Sequence, residues 1–310
     1  MIIENMSIGM LKEKAIDLIQ SCLSPIALVE PFGSYFTDTC TGADDVDLAV
    51  LFHTNPAGWV RDGKGKIPLA IVKTVMNRVI KLLPRSSVSI NLRIIHSKTP
   101  IIKMTVFRTV KVDLVLHDAH GVLMSRVLLD LFNSSPPLLL QLVCSVKQWA
   151  KNRKLIDASQ GNMSSYGFTL SVIYFLQSLG IVGNVFFSND VDFFEPVFDS
   201  EIIFDIVKTR KTCWYIEPPP KGVTRNIQSY LREFLEYLAY QLSDKDNERK
   251  TYQLANISGQ IESICCCCIE KTEPRIIVEH RMLIVIEPIS KANVASSLSK
   301  KGFLNLQSLV

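Results

Sequence analysis

The chain has 310 residues, 47% of them apolar and 21% charged, with a formal net charge of +4. That length and apolar content bury a core and exclude a disordered chain, while the small positive charge excludes the dense basic stripe of a duplex-DNA binder and leaves affinity for polyanions. Apolar runs such as FTLSVIYFLQSLGIVGNVFF are broken by Ser, Gln, Asn and Gly, so a soluble protein with no membrane partner is expected.

In chain order, the N-terminus MIIENMSIGMLKEKAIDLIQ lacks a basic stretch followed by a continuous apolar run, and it carries acids where an organellar transit peptide has arginines. No targeting segment is read in it. Residues 8 to 22 have helical spacing. Strand-like runs follow at IALVEPF, DVDLAVLF, VSINLRII, PIIKMTVF and KVDLVLH, interrupted by one helical stretch, PLAIVKTVMNRVIKLL. From about Gly121 the pattern turns to long helices: VLMSRVLLDLF, PLLLQLVCSVKQWAKNRK, SSYGFTLSVIYFLQSLG with a serine cap, and NIQSYLREFLEYLAYQL. EPRIIVEH and RMLIVIEP read as a late β-hairpin, and the Pro218–Pro220 run and SDKDNERK as exposed loops. Four of the eight cysteines stand side by side at Cys265 to Cys268. Alternate strand positions point to opposite faces, so this run reads as small apolar residues and not as a metal site, in a reducing intracellular compartment.

The chemistry concentrates in PFGSYFTDTCTGADDVDLAVLF. In a strand, Asp45 and Asp47 share one face while Val46, Leu48 and Val50 point to the other. Two carboxylates held this close repel, and a divalent cation with a preference for hard oxygen ligands relieves that repulsion. KVDLVLH supplies a third acid, Asp113, between core-like Val112 and Leu114. Three such carboxylates can hold two Mg²⁺ (or Mn²⁺) ions roughly 3.5–4 Å apart, the arrangement of phosphoryl transfer. Gly33 and Ser34 fit the same chemistry, because a glycine lets the backbone approach a phosphate and the hydroxyl and following amides donate to its oxygens. His117-Asp118-Ala119-His120 has HxxH spacing without a third ligand nearby, so a metal site there is not expected. No GxSxG, Walker loop or GxGxxG is present.

The stretch FGSYFTDTCTGADDVDLAVLF resembles the signature of the DNA-polymerase-β-like nucleotidyltransferases. VCSVKQWAKNRKLIDASQGNMSSYGFTLSVIYFLQ is similar to the VKxWAK…SSY element of terminal uridylyltransferases and their poly(A) polymerase relatives. KTPIIKM resembles the [K/R]xPxxK strand before the third aspartate, and LIVIEPISKANVASS the IEDPF…NVA motif. The resemblance covers about residues 25 to 300 in the family's order. The short length resembles the minimal terminal uridylyltransferases, including those associated with trypanosome mitochondrial RNA editing.

The resemblance implies an α/β catalytic lobe of polymerase-β-like nucleotidyltransferase fold at residues 25–120. Residues 1–24 and 121–310 would form a mostly α-helical second lobe, the whole bilobal with a central cleft. It implies that Asp45, Asp47 and Asp113 are catalytic and hold two metal ions, with Gly33 and Ser34 on the triphosphate. Lys147 and Lys151, four apart on one helical face, would meet the phosphates. Ser165 would touch phosphate and Tyr166 stack under the base. Ser125 lies near the slot where relatives place an Asn that reads the ribose and uracil O2. Arg126 is a candidate for RNA or base. Glu287 matches the acidic residue before proline, and Lys98 is a candidate donor to O4 or to RNA. Acid plus cation favours UTP, although a glutamate can also accept from the adenine amino group, and Ala292 replaces a histidine that several uridylyl enzymes carry. The expected activity is addition of UMP from UTP to an RNA 3′ end, single-stranded or nicked duplex, with a larger RNA-processing complex as a candidate partner. The expected location is mitochondrial or cytoplasmic. The alternatives are a poly(A) polymerase-type adenylyltransferase of the same fold, a glycosyltransferase using Asp-x-Asp, and a noncatalytic RNA-binding scaffold.

Overall fold

Alternation with a period of two sorts each strand into a face for the core and a face for chemistry, and the first half of the chain is built around that sorting. We describe the protein from a computed structural model that places residues 6–39, 45–53, 69–82, 88–95, 101–116, 118–187, 200–242, 251–253, 263–265 and 298–309. The chain divides into two compact units, Met1–Leu129 with Asp199–Thr212, and Asp130–Phe198 with Cys213–Val310.

In the first unit, α1 (Ile8–Leu23) starts at Ser7, whose hydroxyl accepts from the Met10 amide at 3.3 Å. Then come β1 (Ala27–Phe32), the short α2 (Gly33–Phe36), β2 (Val46–Phe52), α3 (Leu69–Leu82), β3 (Val88–Ile95), β4 (Ile101–Val106), β5 (Val110–Leu116) and α4 (Ala119–Ser134). Asp118 caps α4 by accepting from the Gly121 amide at 2.9 Å, which gives part of the HxxH segment a structural role. The strands form one sheet in the order β1-β2-β5-β4-β3, with β2 and β5 parallel and the other neighbours antiparallel. Val46, Leu48 and Val50 of β2, Val112, Leu114 and Leu116 of β5, and Ile102 and Met104 of β4 are buried in one apolar cluster with Leu11, Ala15, Ile16 and Ile19 of α1 and Val72, Val75 and Val79 of α3. Helix α1, grouped with the helical lobe in the sequence reading, therefore packs in this first unit.

A later segment returns to the same unit. In α7 (Ser200–Thr209) the Val207 carbonyl accepts from Arg126 Nη1 of α4 at 2.9 Å, and Arg126 Nη2 reaches Glu30 Oε2 of β1 at 3.2 Å. With side-chain exposures of 15% for Arg126 and 12% for Glu30, this pair is largely desolvated, so each charge needs the other.

The second unit holds α5 (Leu138–Asn152), α6 (Ser165–Ser178), the paired β6 (Val185–Phe187) and β7 (Trp214–Ile216), α8 (Ile227–Leu242), the paired β8 (Thr251–Gln253) and β9 (Ser263–Cys265), and α9 (Lys300–Leu309). Ser164 caps α6 through the Gly167 amide at 3.0 Å. Every residue from Gly167 to Leu176 of α6 is buried, as its largely apolar sequence requires, and the two hydroxyls among them, Thr169 and Ser171, donate to carbonyls one turn back. Phe168 meets Trp149 of α5 edge-on at 6.5 Å, and Phe175 meets Phe234 of α8 at 5.7 Å. The Gly161 carbonyl accepts from both the amide and the hydroxyl of Ser299, which anchors the start of α9. Cys265 falls in β9. Cys266 to Cys268 and the EPRIIVEH–RMLIVIEP hairpin lie outside the described residues. Among the described residues no helix is long and apolar enough to cross a membrane.

The β4–β5 hairpin turns through two non-glycine residues in left-handed conformation, Phe107 (φ 53°) and Arg108 (φ 64°). Phe107 is buried and Arg108 exposed. We predict that Arg108→Gly raises stability by about 0.5–1 kcal/mol, since a glycine avoids the left-handed penalty and forfeits no core contact. A urea midpoint equal to or below that of the wild type would contradict strain at this turn.

Candidate active site

The parallel register of β2 and β5 pairs Val46 with Val112, Asp47 with Asp113, and Leu48 with Leu114. The apolar members of this series lie beneath α1 and α3, so Asp47 and Asp113 stand side by side on the opposite face. Asp45, immediately before β2, shares that face by its spacing. On the other flank, Phe32 at the end of β1 pairs with Asp47, and the chain then turns sharply at Gly33. Gly33 has φ +70°, and a Cβ there would lie 2.6 Å from Asp47 Oδ2. The glycine is required twice, by conformation and by the carboxylate against it.

The turn is held from above. Ser125 of α4 accepts from the Gly33 amide at 2.9 Å and donates to the Gly121 carbonyl at 2.8 Å. Thr37 Oγ1 donates to the Gly33 carbonyl at 3.0 Å. Ser34 is half-buried in α2. The sequence reading placed Ser125 near the ribose and base; in the structure its hydroxyl is engaged with two backbone groups of the turn and of its own helix.

Asp113 is the most buried of the three acids, and its carboxylate is paired with Lys103 of β4, its direct neighbour in register. Burial pushes the Asp113 carboxyl above the usual carboxylate range; the Lys103 hydrogen bond and charge oppose that shift, and the negative charge of Asp45 adds to it. Among the described residues no group of three acid, His or Cys side chains is gathered as a ready ligand cluster. Converging carboxylates repel, and the fold relieves part of that repulsion by giving Asp113 a cation of its own. The donor set still suits a divalent ion: two acids in register, a third whose charge is felt at Asp113, all with hard oxygen atoms, and a glycine clearing the space beside Asp47.

The other expected residues fall as follows. Lys147 of α5 is buried, and Lys151, one turn on, is exposed. Ser165 and Tyr166 occupy the first turn of α6, half-buried, directly after the Ser164 cap. Arg126 is committed to Glu30 and to the Val207 carbonyl. Glu287 and Lys98 lie outside the described residues. Sequence reasoning did not single out Lys103, although a hairpin folded about Arg108 sets residue 103 opposite residue 113. A cavity of about 330 Å³ lined by Pro25, Ile26, Phe52, His53, Ile71, Thr74 and Val75 has no acid among the described residues of its wall and lies at the far end of β2 from Asp47. It is no part of this site.

Residues 8–132 match the family model described as poly(A) RNA polymerase, mitochondrial-like, central palm domain. Protein HESO1 of Arabidopsis thaliana is 28% identical over 166 residues, covering 52% of this chain and 31% of its own length. Terminal uridylyltransferase 4 of Trypanosoma brucei brucei is 26% identical over 168 residues, covering 50% of this chain and 49% of its own. Poly(A) RNA polymerase GLD2 of Danio rerio is 29% identical over 159 residues, covering 50% and 30%. The chain thus matches about half or less of the length of these curated relatives. Among solved structures, Cid1 poly(U) polymerase bound to Mg and 3′-dATP superposes with a TM-score of 0.65 at 19% identity, covering 98% of this chain and 87% of that one. Cid1 in complex with the UTP analogue UMPNPP gives 0.62 at 18% identity, covering 98% and 86%. At such identities the likeness shows the fold, that of a polymerase-β-like nucleotidyltransferase.

Two substitutions test how the turn is held. Gly33→Ala is expected to lose about 1–3 kcal/mol, from the left-handed backbone and displacement of Asp47. Ser125→Ala should lose a similar amount by leaving the Gly33 amide without its acceptor. Urea denaturation measures both, and a Gly33→Ala midpoint equal to that of the wild type would refute the tight approach to Asp47.

Proposed function

We propose that the chain is a DNA-polymerase-β-like nucleotidyltransferase and, within that class, a template-independent RNA 3′-terminal uridylyltransferase that adds UMP from UTP to an RNA 3′-hydroxyl. The observation that carries this reading is the register pair Asp47–Asp113 beneath the Gly33 turn. Uridylyltransferases among the relatives support the choice of nucleotide.

In this reading the RNA 3′-hydroxyl loses its proton with help from Asp113, as base or as metal ligand. The 3′-oxygen forms a bond to the α-phosphorus as the bond from that phosphorus to the pyrophosphate oxygen breaks, and pyrophosphate leaves. Asp45, Asp47 and Asp113 would hold Mg²⁺ or Mn²⁺, which supplies neutralisation of the triphosphate and of the charge that develops on the oxygens. Gly33 and Ser34 present backbone and hydroxyl donors to phosphate oxygens. In the second unit, Lys147 and Lys151 are assigned to phosphate charge, Ser165 to a phosphate hydrogen bond and Tyr166 to base stacking. Ser125 acts by fixing Gly33.

The second reading takes ATP as donor and is favoured by the poly(A) polymerase description of the matching palm domain. Incubating labelled RNA with each of the four triphosphates separates the two. UTP is expected to be used at least about tenfold better than ATP, a difference of about 1.4 kcal/mol in transition-state binding. Preferential ATP use would overturn the base assignment, and addition from none of the four would leave the RNA-binding scaffold. Asp47→Asn and Asp113→Asn should each lower addition by on the order of a thousandfold with an unchanged circular dichroism spectrum. Retained activity in either would refute the carboxylate site.

A further inference from the structure

Across the sheet, one register row carries Phe32, Asp47, Asp113 and Lys103 in succession. The Lys103 ammonium, on β4, meets Asp113 Oδ2, on β5, so a cation already sits against the acid that the proposed function gives to a divalent ion. The two partners differ in their freedom. The Asp113 side chain is 12% exposed, whereas that of Lys103 is 37% exposed. A lysine has four rotatable bonds and a strongly hydrated head, so it can withdraw to water while the carboxylate stays fixed in the strand. Ile102 and Met104 on either side are buried beneath the sheet and hold the lysine backbone in register.

We infer that Lys103 is an exchangeable counter-ion for Asp113: it neutralises the buried carboxylate before a divalent cation binds, and gives up the carboxylate to that cation when it does. This inference rests on the reading of Asp45, Asp47 and Asp113 as metal ligands. It follows from two facts of chemistry. A carboxylate this buried beside Asp45 is unfavourable as a bare anion, so the fold without metal needs a positive partner. A monovalent ammonium pairs with one carboxylate, while a divalent ion can bind several together, so the second displaces the first where acids adjoin. The lysine therefore competes with the metal and sets its apparent affinity.

The test is Mn²⁺ binding at pH 8 to the full chain, followed by the electron paramagnetic resonance signal of free Mn²⁺, in wild type, Lys103→Met, Lys103→Arg and Lys111→Met. Lys111 is the exposed lysine two residues before Asp113 and also lowers its proton affinity, so its substitution controls for net charge. Lys103→Met is expected to bind Mn²⁺ about tenfold more tightly than wild type and to gain more in Tm on addition of Mg²⁺. Lys103→Arg, whose guanidinium grips a carboxylate with two donors, is expected to bind several-fold more weakly and serves if the methionine variant misfolds. Lys111→Met should change affinity by no more than about twofold. Unchanged or weaker binding in Lys103→Met, equal gains in Lys103→Met and Lys111→Met, or wild-type affinity in Lys103→Arg would each overturn the exchange, even where wild type binds Mn²⁺ and Asp113→Asn abolishes that binding. Absence of saturable Mn²⁺ binding in wild type and Lys103→Met alike would overturn the metal-site reading together with it.

Discussion

The parallel pairing of β2 with β5 puts two carboxylates in one register row, and much of the first unit serves to make that pairing possible. Left to themselves, adjacent acids would favour strands that part. The opposing force is the apolar face on the other side of the same residues, where Val46, Leu48, Val112 and Leu114 are fully buried under α1 and α3. Each buried leucine or valine contributes about 1.5–3 kcal/mol of transfer free energy. Several together exceed the repulsion of a partly solvated charge pair, especially with Lys103 against one member. The fold can hold an unfavourable polar face because its apolar face is well packed.

Much of this was legible in the sequence because a period of two is a local property. DVDLAVLF and KVDLVLH show which residues face the core, and the structure has those faces as read. The long amphipathic and apolar helices were also legible, with Ser164 as the cap of α6. What escaped depends on partners distant in the chain. Ser125 bonds the Gly33 amide across 92 positions, and Arg126 bonds the Val207 carbonyl across 81 and Glu30 across 96. A polar residue on a helix near a predicted site looks the same in sequence whether it meets a ligand or a backbone amide. The three-residue strands β6 to β9 are too short to show a period at all, and α7 is identified with the first unit only by the contacts it makes there.

The polar residues around the acids form a graded set. Asp47 touches the space cleared by Gly33; Ser125 fixes that glycine; Asp118 fixes the start of the helix that carries Ser125. The first of these contacts is steric, and the other two are hydrogen bonds from the Gly33 amide to Ser125 and from the Gly121 amide to Asp118. Lys103 stands apart from this set, since its long side chain is more exposed, at 37%, than the carboxylate it meets, at 12%.

The return of α7 to the first unit has a consequence for how the protein is made. On the ribosome the five strands and α4 emerge early, yet Arg126 lacks the Val207 carbonyl and Glu30 lacks Arg210 until residues beyond 200 have left the exit tunnel. The first unit cannot finish maturing as an N-terminal piece, and its last seam closes only after the helical segment at its C-terminal side has been synthesised.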